Sequence, residues 1–198
     1  MALTLLGLAA AYLVGAIPVG LIVARLSGGG DLRRAGSGNI GATNVLRTLG
    51  RGPAIATLLG DVAKGALATA LAAAAGEPGW AAPTGAVAAM VGNCWPVFLR
   101  FRGGKGMATG LGGFLVAAPG AVLPAAVAWL GVLALFRLVS LASLVAVVVL
   151  PAAAVLLGYP GATAWAALGA AAIVIVRHRQ NLVRLRRGVE PRIGQRVG

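Results

Sequence analysis

Long apolar runs, interrupted by glycine, proline and short basic stretches, set the pattern of this chain. They fall near residues 2–24, 53–76, 80–99, 106–118, 120–136, 138–158 and 160–176, each reading as a membrane-spanning helix by length and hydropathy. The short one is 106–118. Its thirteen residues at about 1.5 Å each reach about 20 Å, less than a hydrocarbon core about 30 Å thick. It is therefore tilted, extended by its flanks, or re-entrant. The first run is apolar from Ala2 to Ala24 with no Lys or Arg before Arg25. It lacks the basic leader of a secretory signal and reads as a retained first span.

The polar positions then decide the topology. With seven crossings, Arg25, Arg33, Arg34, Arg47, Arg51, Arg100, Arg102, Lys105, Arg137 and the seven arginines after Val176 share one side, which is sixteen of seventeen Lys/Arg. Five crossings plus a re-entrant hairpin keep the same asymmetry, whereas one long crossing over 106–136 destroys it. Basic loops stay in the cytoplasm, so the N-terminus is expected outside and the C-terminus inside. The exception is Lys64, three residues after Asp61 within the second run. At that spacing the two can pair on one helix face, either as a neutralising structural pair or as part of a site.

Composition agrees. The chain of 198 residues is 59% hydrophobic and 11% charged, with a mean hydropathy of +0.92, against about 25% charged residues in soluble domains. The expected fold is an all-α integral membrane protein of about seven transmembrane helices, one domain over 1–198. A net charge of +13 would suggest nucleic acid in a soluble protein, but here the cations sit in short loops between apolar runs with few aromatics beside them, so none is expected. The single cysteine, Cys94, excludes an intrachain disulfide and a Cys-based metal cluster and reads as a buried apolar group.

Three polar stretches on the basic side carry the candidate chemistry. The first, GSGNIGATNVLR from Gly36 to Arg47, spells G-x-G-x-x-G at Gly36, Gly38 and Gly41. A dinucleotide site would need a preceding buried strand and an acid about 20 residues on. Gly36 instead follows a membrane span and a basic loop, and Asp61 lies in an apolar run. The second, FRGGKGMATG from Phe101 to Gly110, lacks the Ser/Thr after Lys that a Walker A loop uses for magnesium. What both retain is glycine-rich backbone leading into a helix N-terminus, a device that binds phosphate. Ser37, Asn39, Thr43 and Asn44 add neutral donors, and Arg47 adds a fork suited to phosphate oxygens. Thr43 or Asn44 is placed to cap the helix running into Leu49. Gly103, Gly104, Lys105 and Gly106 repeat the device with Lys105 as a point charge. The third stretch, RHRQNLVRLRRGVEP from Arg177 to Pro191, holds the only histidine, His178, with Asn181 and Glu190. The plainer alternative is that the glycines only turn and the arginines only anchor, as Arg33, Arg34, Arg186, Arg187, Arg192 and Arg196 are expected to do. No zinc or two-metal carboxylate set can be assembled, and no nucleophile–base pair is evident. Any reaction must lean on positioning and on cations facing phosphates.

These stretches, in the forms GSGNIGATNVLR, DVAKG, GNCWPVFLRFRGGKGMATG and HRQNLVRLRRGVEP, resemble the bacterial acyl-phosphate:glycerol-3-phosphate acyltransferases of the PlsY type over almost the whole chain. The resemblance implies transfer of a fatty acyl group from acyl phosphate to the 1-hydroxyl of sn-glycerol 3-phosphate, giving lysophosphatidic acid and phosphate. It implies no cofactor and no need for coenzyme A or acyl carrier protein. The expected partners are the two substrates, the lipid bilayer and the enzyme that makes acyl phosphate, at the cytoplasmic face of the bacterial inner membrane. By resemblance Gly38–Asn44 cradles the acyl-phosphate headgroup, with Thr43 and Asn44 donating. Ser37, Arg47, Lys105 and Asn181 grip glycerol phosphate, with His178 and Glu190 close by. One departure is Asn93, where the family usually has His, and a structural role is expected for it. The competing reading is a transporter for phosphate or a small organic phosphate, against which stand the crowding of polar motifs on one face and the lack of a visible repeat.

Overall fold

The computed structural model describes residues 1–195, and every regular element among them is helical. Arg196, expected among the anchors, lies outside the described residues. In chain order the helices are α1 (Ala2–Gly15), α2 (Val19–Leu26), α3 (Ala42–Leu49), α4 (Arg51–Ala75), α5 (Ala81–Cys94), α6 (Met107–Ala117), α7 (Pro119–Phe136), α8 (Val139–Leu156), α9 (Gly161–Arg177) and α10 (Arg179–Arg186). Their ends follow local chemistry. Pro18 separates α1 from α2, Pro96 follows the end of α5, and Pro119 opens α7, because proline lacks an N–H and disfavours a helical residue before it.

A helix stands at each of the seven apolar segments. Among the described residues, five spans are long and apolar enough to cross a bilayer: Ala2–Leu26, in which α1 and α2 count together, Arg51–Ala75, Ala81–Leu99, Pro119–Phe136 and Val139–Leu156. Helix α9 meets the criterion only jointly with α10, across a 63° bend, and α6 is a shorter apolar helix. The loop expected between the first two runs is largely folded, with a 3-10 turn at Leu32–Arg34 and then α3.

Lipid offers no hydrophobic drive between helices, so close packing of small residues must hold them. The buried faces are correspondingly small: Ala11, Ala68, Ala72 and Ala89 form one core where α1, α4 and α5 meet. A Cβ on Gly112 of α6 would land on the Val62 carbonyl of α4, and one on Gly65 of α4 on the Thr109 carbonyl of α6. These two glycines let the helices touch backbone to backbone. Larger side chains such as Leu59, Leu123, Val148 and Trp165 point outward, where lipid would receive them.

The charged pair inside α4 ties this packing together. Lys64 Nζ lies 2.7 Å from Asp61 Oδ1, and donates to the Ile17 carbonyl at 2.7 Å and to Asn93 Oδ1 at 2.9 Å. All three ammonium hydrogens are thereby used: one neutralised on its own helix, one on the carbonyl beside the Pro18 break, one on α5. The side chain at the position where the family usually has His thus serves as an acceptor for Lys64.

The C-terminal tail returns across the molecule. The Ile193 amide donates to the Arg137 carbonyl at 2.8 Å, and Arg137 Nη2 donates back to the Ile193 carbonyl at 3.2 Å. This strap, anchored at the corner between α7 and α8, brings Glu190 against Asn181 and Arg184 of α10 and Pro191 against Arg47 of α3.

Candidate active site

The first polar loop is shaped by one side chain. Asn44, 1% exposed, directs Nδ2 at the carbonyls of Leu32, Ala35 and Asn39 at 3.2, 3.0 and 2.8 Å, and accepts the Ser37 amide on Oδ1 at 2.8 Å. Positive φ at Gly36 and Gly38 lets the chain fold around that amide. Asn44, expected to donate to a headgroup, instead spends its hydrogen bonds on the loop itself. The expected cap also moves: α3 starts at Ala42 with Gly41 as N-cap and no side-chain cap, so Thr43 and Asn44 lie inside its first turn. The physical reason is that Asn39 Oδ1 accepts the Gly41 amide at 2.9 Å, an Asx turn that starts the helix earlier.

The second loop is held from two sides. Gly104 N donates to the Asn93 carbonyl at 2.9 Å and Gly103 N to that of Cys94 at 3.3 Å. Opposite, Arg177 donates from Nε to the Gly104 carbonyl at 2.9 Å and from Nη2 to that of Gly103 at 2.7 Å, with its guanidinium 5.5 Å from the Trp95 ring centre. Arg177 opens the third polar stretch but was given no role of its own by sequence reading; its place next to His178 was the available signal. Gly106, with φ of 79°, then caps α6, leaving the first amides of that helix without intrahelical acceptors.

The third stretch supplies polar groups at the bend after α9. Lys105 Nζ donates to Asn181 Oδ1 at 2.5 Å, Asn181 Nδ2 to Glu190 Oε1 at 2.6 Å, and Arg184 Nε to Glu190 Oε2 at 2.7 Å. Burial would raise the Glu190 carboxyl, but the hydrogen bonds from Asn181 and Arg184 outweigh it and hold the group below its ordinary value. His178 Nδ1 lies 2.8 Å from the Val174 carbonyl; a carbonyl can only accept, so Nδ1 carries the proton and Nε2 keeps a free lone pair. Burial first, and then Lys105, push the imidazole down to about 4, so it is neutral near pH 7. Burial likewise lowers Lys105 to about 8, with Arg184, Arg47 and Arg177 acting in the same direction against the pull of Glu190.

These groups meet in one cavity of about 460 Å³. Ser37, Asn39, Gly41, Thr43, Asn44, Arg47, Gly104, Lys105, Gly106, His178, Asn181 and Glu190 all line it. Gly38 and Gly103 do not. A Cβ on Gly103 would strike the Asn93 carbonyl, so that glycine serves the packing of its loop against α5. Asp61, left open as a structural or a site residue, also lines the cavity, and sequence reading missed Asn93, Ser140 and Ser143 as lining groups; the two serines stand at the start of α8 in the run RLVSLAS, the one polar pair in that apolar segment. Beyond the polar end the walls turn apolar, with Phe114, Val122, Trp129, Val147 and Leu150.

The N-termini of α3 and α6 both open onto this space, each with a partial positive charge and N–H groups free of intrahelical acceptors, and Arg47 and Lys105 line it with them. Arg47 Nη2 also donates to the Pro191 carbonyl at 3.4 Å. The arrangement can bind two anionic oxygen-rich groups, one with an apolar extension.

Known proteins carry the same pattern. A family model described as glycerol-3-phosphate acyltransferase matches residues 5–188. A glycerol-3-phosphate acyltransferase of Jannaschia sp. (strain CCS1) is 50% identical over 194 residues, covering 96% of this chain and 94% of that one. One from Desulforudis audaxviator is 48% identical, covering 93% of each. Among solved structures, the crystal structure of PlsY (YgiH), an integral membrane glycerol 3-phosphate acyltransferase, in its glycerol 3-phosphate form superposes with a TM-score of 0.91 at 38% identity over 96% of each chain. Its lysophosphatidic acid form gives 0.89 at 36% identity, over 96% of this chain and 95% of that one. With a match running nearly end to end and a fold in common, this chain belongs to the glycerol-3-phosphate acyltransferase family.

Proposed function

We propose that this membrane glycerol-3-phosphate acyltransferase uses acyl phosphate as its donor and releases inorganic phosphate. The observation that carries the reading is the single cavity in which Arg47, Lys105 and two helix N-termini crowd the polar end while Phe114, Val122, Val147 and Leu150 line the other. Two phosphates need two cationic cradles, and an acyl chain needs an apolar sleeve; a coenzyme A thioester would need room for a nucleotide. The first glycine loop and the α3 N-terminus take the donor phosphate. Ser37, Arg47, Lys105 and Asn181 take the phosphate of glycerol 3-phosphate.

In the step itself the 1-hydroxyl oxygen attacks the acyl carbonyl carbon, the bond from that carbon to the phosphate oxygen breaks, and the hydroxyl proton ends on the departing phosphate. His178 Nε2 accepts a hydrogen bond from the hydroxyl and orients it, while Lys105 and the α3 amides stabilise charge as the phosphate leaves. No protein nucleophile is required, because a mixed anhydride is already activated.

The chain acts as one domain, with α6 counted as a seventh crossing, the N-terminus outside and the cavity mouth at the cytoplasmic face of the inner membrane, where the enzyme that makes acyl phosphate delivers the donor. The basic loops around the cavity support that orientation. The transporter reading gains nothing from a cavity whose polar groups crowd one end.

The test is donor choice. Purified protein with palmitoyl phosphate and glycerol 3-phosphate should form lysophosphatidic acid and phosphate in equal amounts, and none from palmitoyl coenzyme A. Equal turnover of the thioester would overturn the donor assignment. Phosphate release at the same rate without glycerol 3-phosphate would mark a hydrolase instead.

A further inference from the structure

Among the described residues, two buried side-chain oxygens have no hydrogen-bond partner: Thr109 Oγ1 and Ser140 Oγ. Both line the cavity. Each sits in the first turn of its helix, where no carbonyl of the preceding turn is available to a serine or threonine hydroxyl. The contrast is visible on α8 itself. Ser143, one turn later, donates to the Val139 carbonyl at 2.8 Å, whereas Ser140, 5% exposed, makes no hydrogen bond of ordinary geometry and leans only weakly on the Glu190 carboxylate. A buried hydroxyl without a partner is costly to keep, and one facing a ligand cavity is satisfied when the ligand arrives.

The neighbourhood of Ser140 says what kind of group that ligand presents. Its hydroxyl stands close enough to the Glu190 carboxylate to help keep it ionised. Glu190 is itself fixed, with one oxygen on Asn181 and the other on Arg184. An anionic oxygen is repelled beside an ionised carboxylate, so Ser140 is unsuited to either phosphate. A neutral hydroxyl suits both, accepting from Ser140 and donating to a carboxylate oxygen. Of the proposed substrates only glycerol 3-phosphate carries hydroxyls. The donor offers a phosphate, a carbonyl and an apolar chain.

We infer that Ser140, together with Glu190, is the specificity element that reads the non-reacting 2-hydroxyl of the acceptor. The two groups come from opposite ends of the fold, the start of α8 and the C-terminal strap, and the strap is tied to Arg137, three residues before Ser140. Acceptor recognition is thereby coupled to the seating of the tail. Ser140 distinguishes an acceptor with a hydroxyl beside the phosphate-bearing carbon from one without. It does not set phosphate affinity, which is the task of Arg47 and Lys105.

This inference rests on glycerol 3-phosphate being the acceptor, and the experiment separates the two. The wild type, Ser140→Ala and Ser140→Thr are compared on glycerol 3-phosphate and on 3-hydroxypropyl phosphate, which lacks only the 2-hydroxyl, each measured by turnover and as a competitor of the other. The wild type should prefer glycerol 3-phosphate about tenfold or more in kcat/KM, the order expected for one satisfied buried hydrogen bond. Ser140→Ala should lose most of that preference by weakening glycerol 3-phosphate alone, with 3-hydroxypropyl phosphate unchanged within about twofold. Ser140→Thr, which keeps the hydroxyl, should restore discrimination. Equal loss on both acceptors, or no loss on either, would overturn the assignment. A wild type that acylates neither acceptor would overturn the proposed reaction and this inference with it.

Discussion

Raising the pH should switch the enzyme off through one side chain. Lys105 is pushed down to about 8, chiefly by burial, so the ammonium proposed to face the substrate phosphates is lost far below the range of an exposed lysine. The sign follows directly: the charged form is the one that binds, it dominates below pH 8, and it disappears above. Roughly nine in ten molecules carry the charge at pH 7 and roughly one in ten at pH 9, so kcat/KM should fall about tenfold across that interval. Both substrates are largely dianionic phosphates from pH 7 upward, since the second phosphate ionisation lies near 6, so the Lys105 limb is read above pH 7. A bound phosphate favours the ammonium, so the limb in kcat should lie at higher pH than the limb in kcat/KM. Lys105→Arg should remove the limb up to pH 10 even if its maximal rate is lower, because guanidinium does not titrate there. The assay is phosphate release at subsaturating and saturating glycerol 3-phosphate from pH 6 to 10. A flat kcat/KM up to pH 10, or the same limb near 8 in Lys105→Arg, would refute the assignment. No second limb from His178 is expected between pH 5 and 7, because that imidazole lies near 4.

Other expectations follow from the same contacts. Asn44→Ala strands the carbonyls of Leu32, Ala35 and Asn39 and the Ser37 amide; it should cost about 2–4 kcal/mol, visible as a lower melting temperature in detergent, and abolish transfer. Lys64→Met leaves Asp61 buried without its partner and should destabilise by about 3–5 kcal/mol, with Asp61→Leu in the same chain recovering a large part; a double variant less stable than the single would contradict that. Removing residues 189–198 takes away Glu190 and the clasp on Arg137 and should raise the KM for glycerol 3-phosphate at least about tenfold while leaving thermal unfolding nearly unchanged.

Much of this was legible in the residues, and the reasons differ by element. The apolar runs located a helix at all seven segments because burial in lipid demands length and hydropathy, which composition displays. The spacing of Asp61 and Lys64 announced their pairing, since helical periodicity is local. What spacing could not show was who else would take the Lys64 hydrogens: the Ile17 carbonyl and Asn93 lie 47 and 29 residues away. Asn44 misled for a related reason. An asparagine in a glycine-rich stretch can face a ligand or its own backbone, and the choice depends on where the Leu32–Ala35 turn passes. Arg177, beside His178, and Ser140, in the one polar pair of its apolar segment, carried only weak local signals. One looked like any membrane-flanking arginine, the other like any serine opening a helix, and each acquired its place only when α9 and α8 closed around the second glycine loop and the tail.

The central claim is that two phosphorylated molecules meet in one cavity. Its most direct measurement is a crystal structure of the protein with glycerol 3-phosphate and a non-hydrolysable acyl phosphonate bound together. The expected result is the phosphonate at the α3 N-terminus with its chain along Phe114, Val147 and Leu150, and the glycerol phosphate on Arg47 and Lys105. Either phosphorus found outside that cavity, or the two ligands excluding one another, would contradict the account.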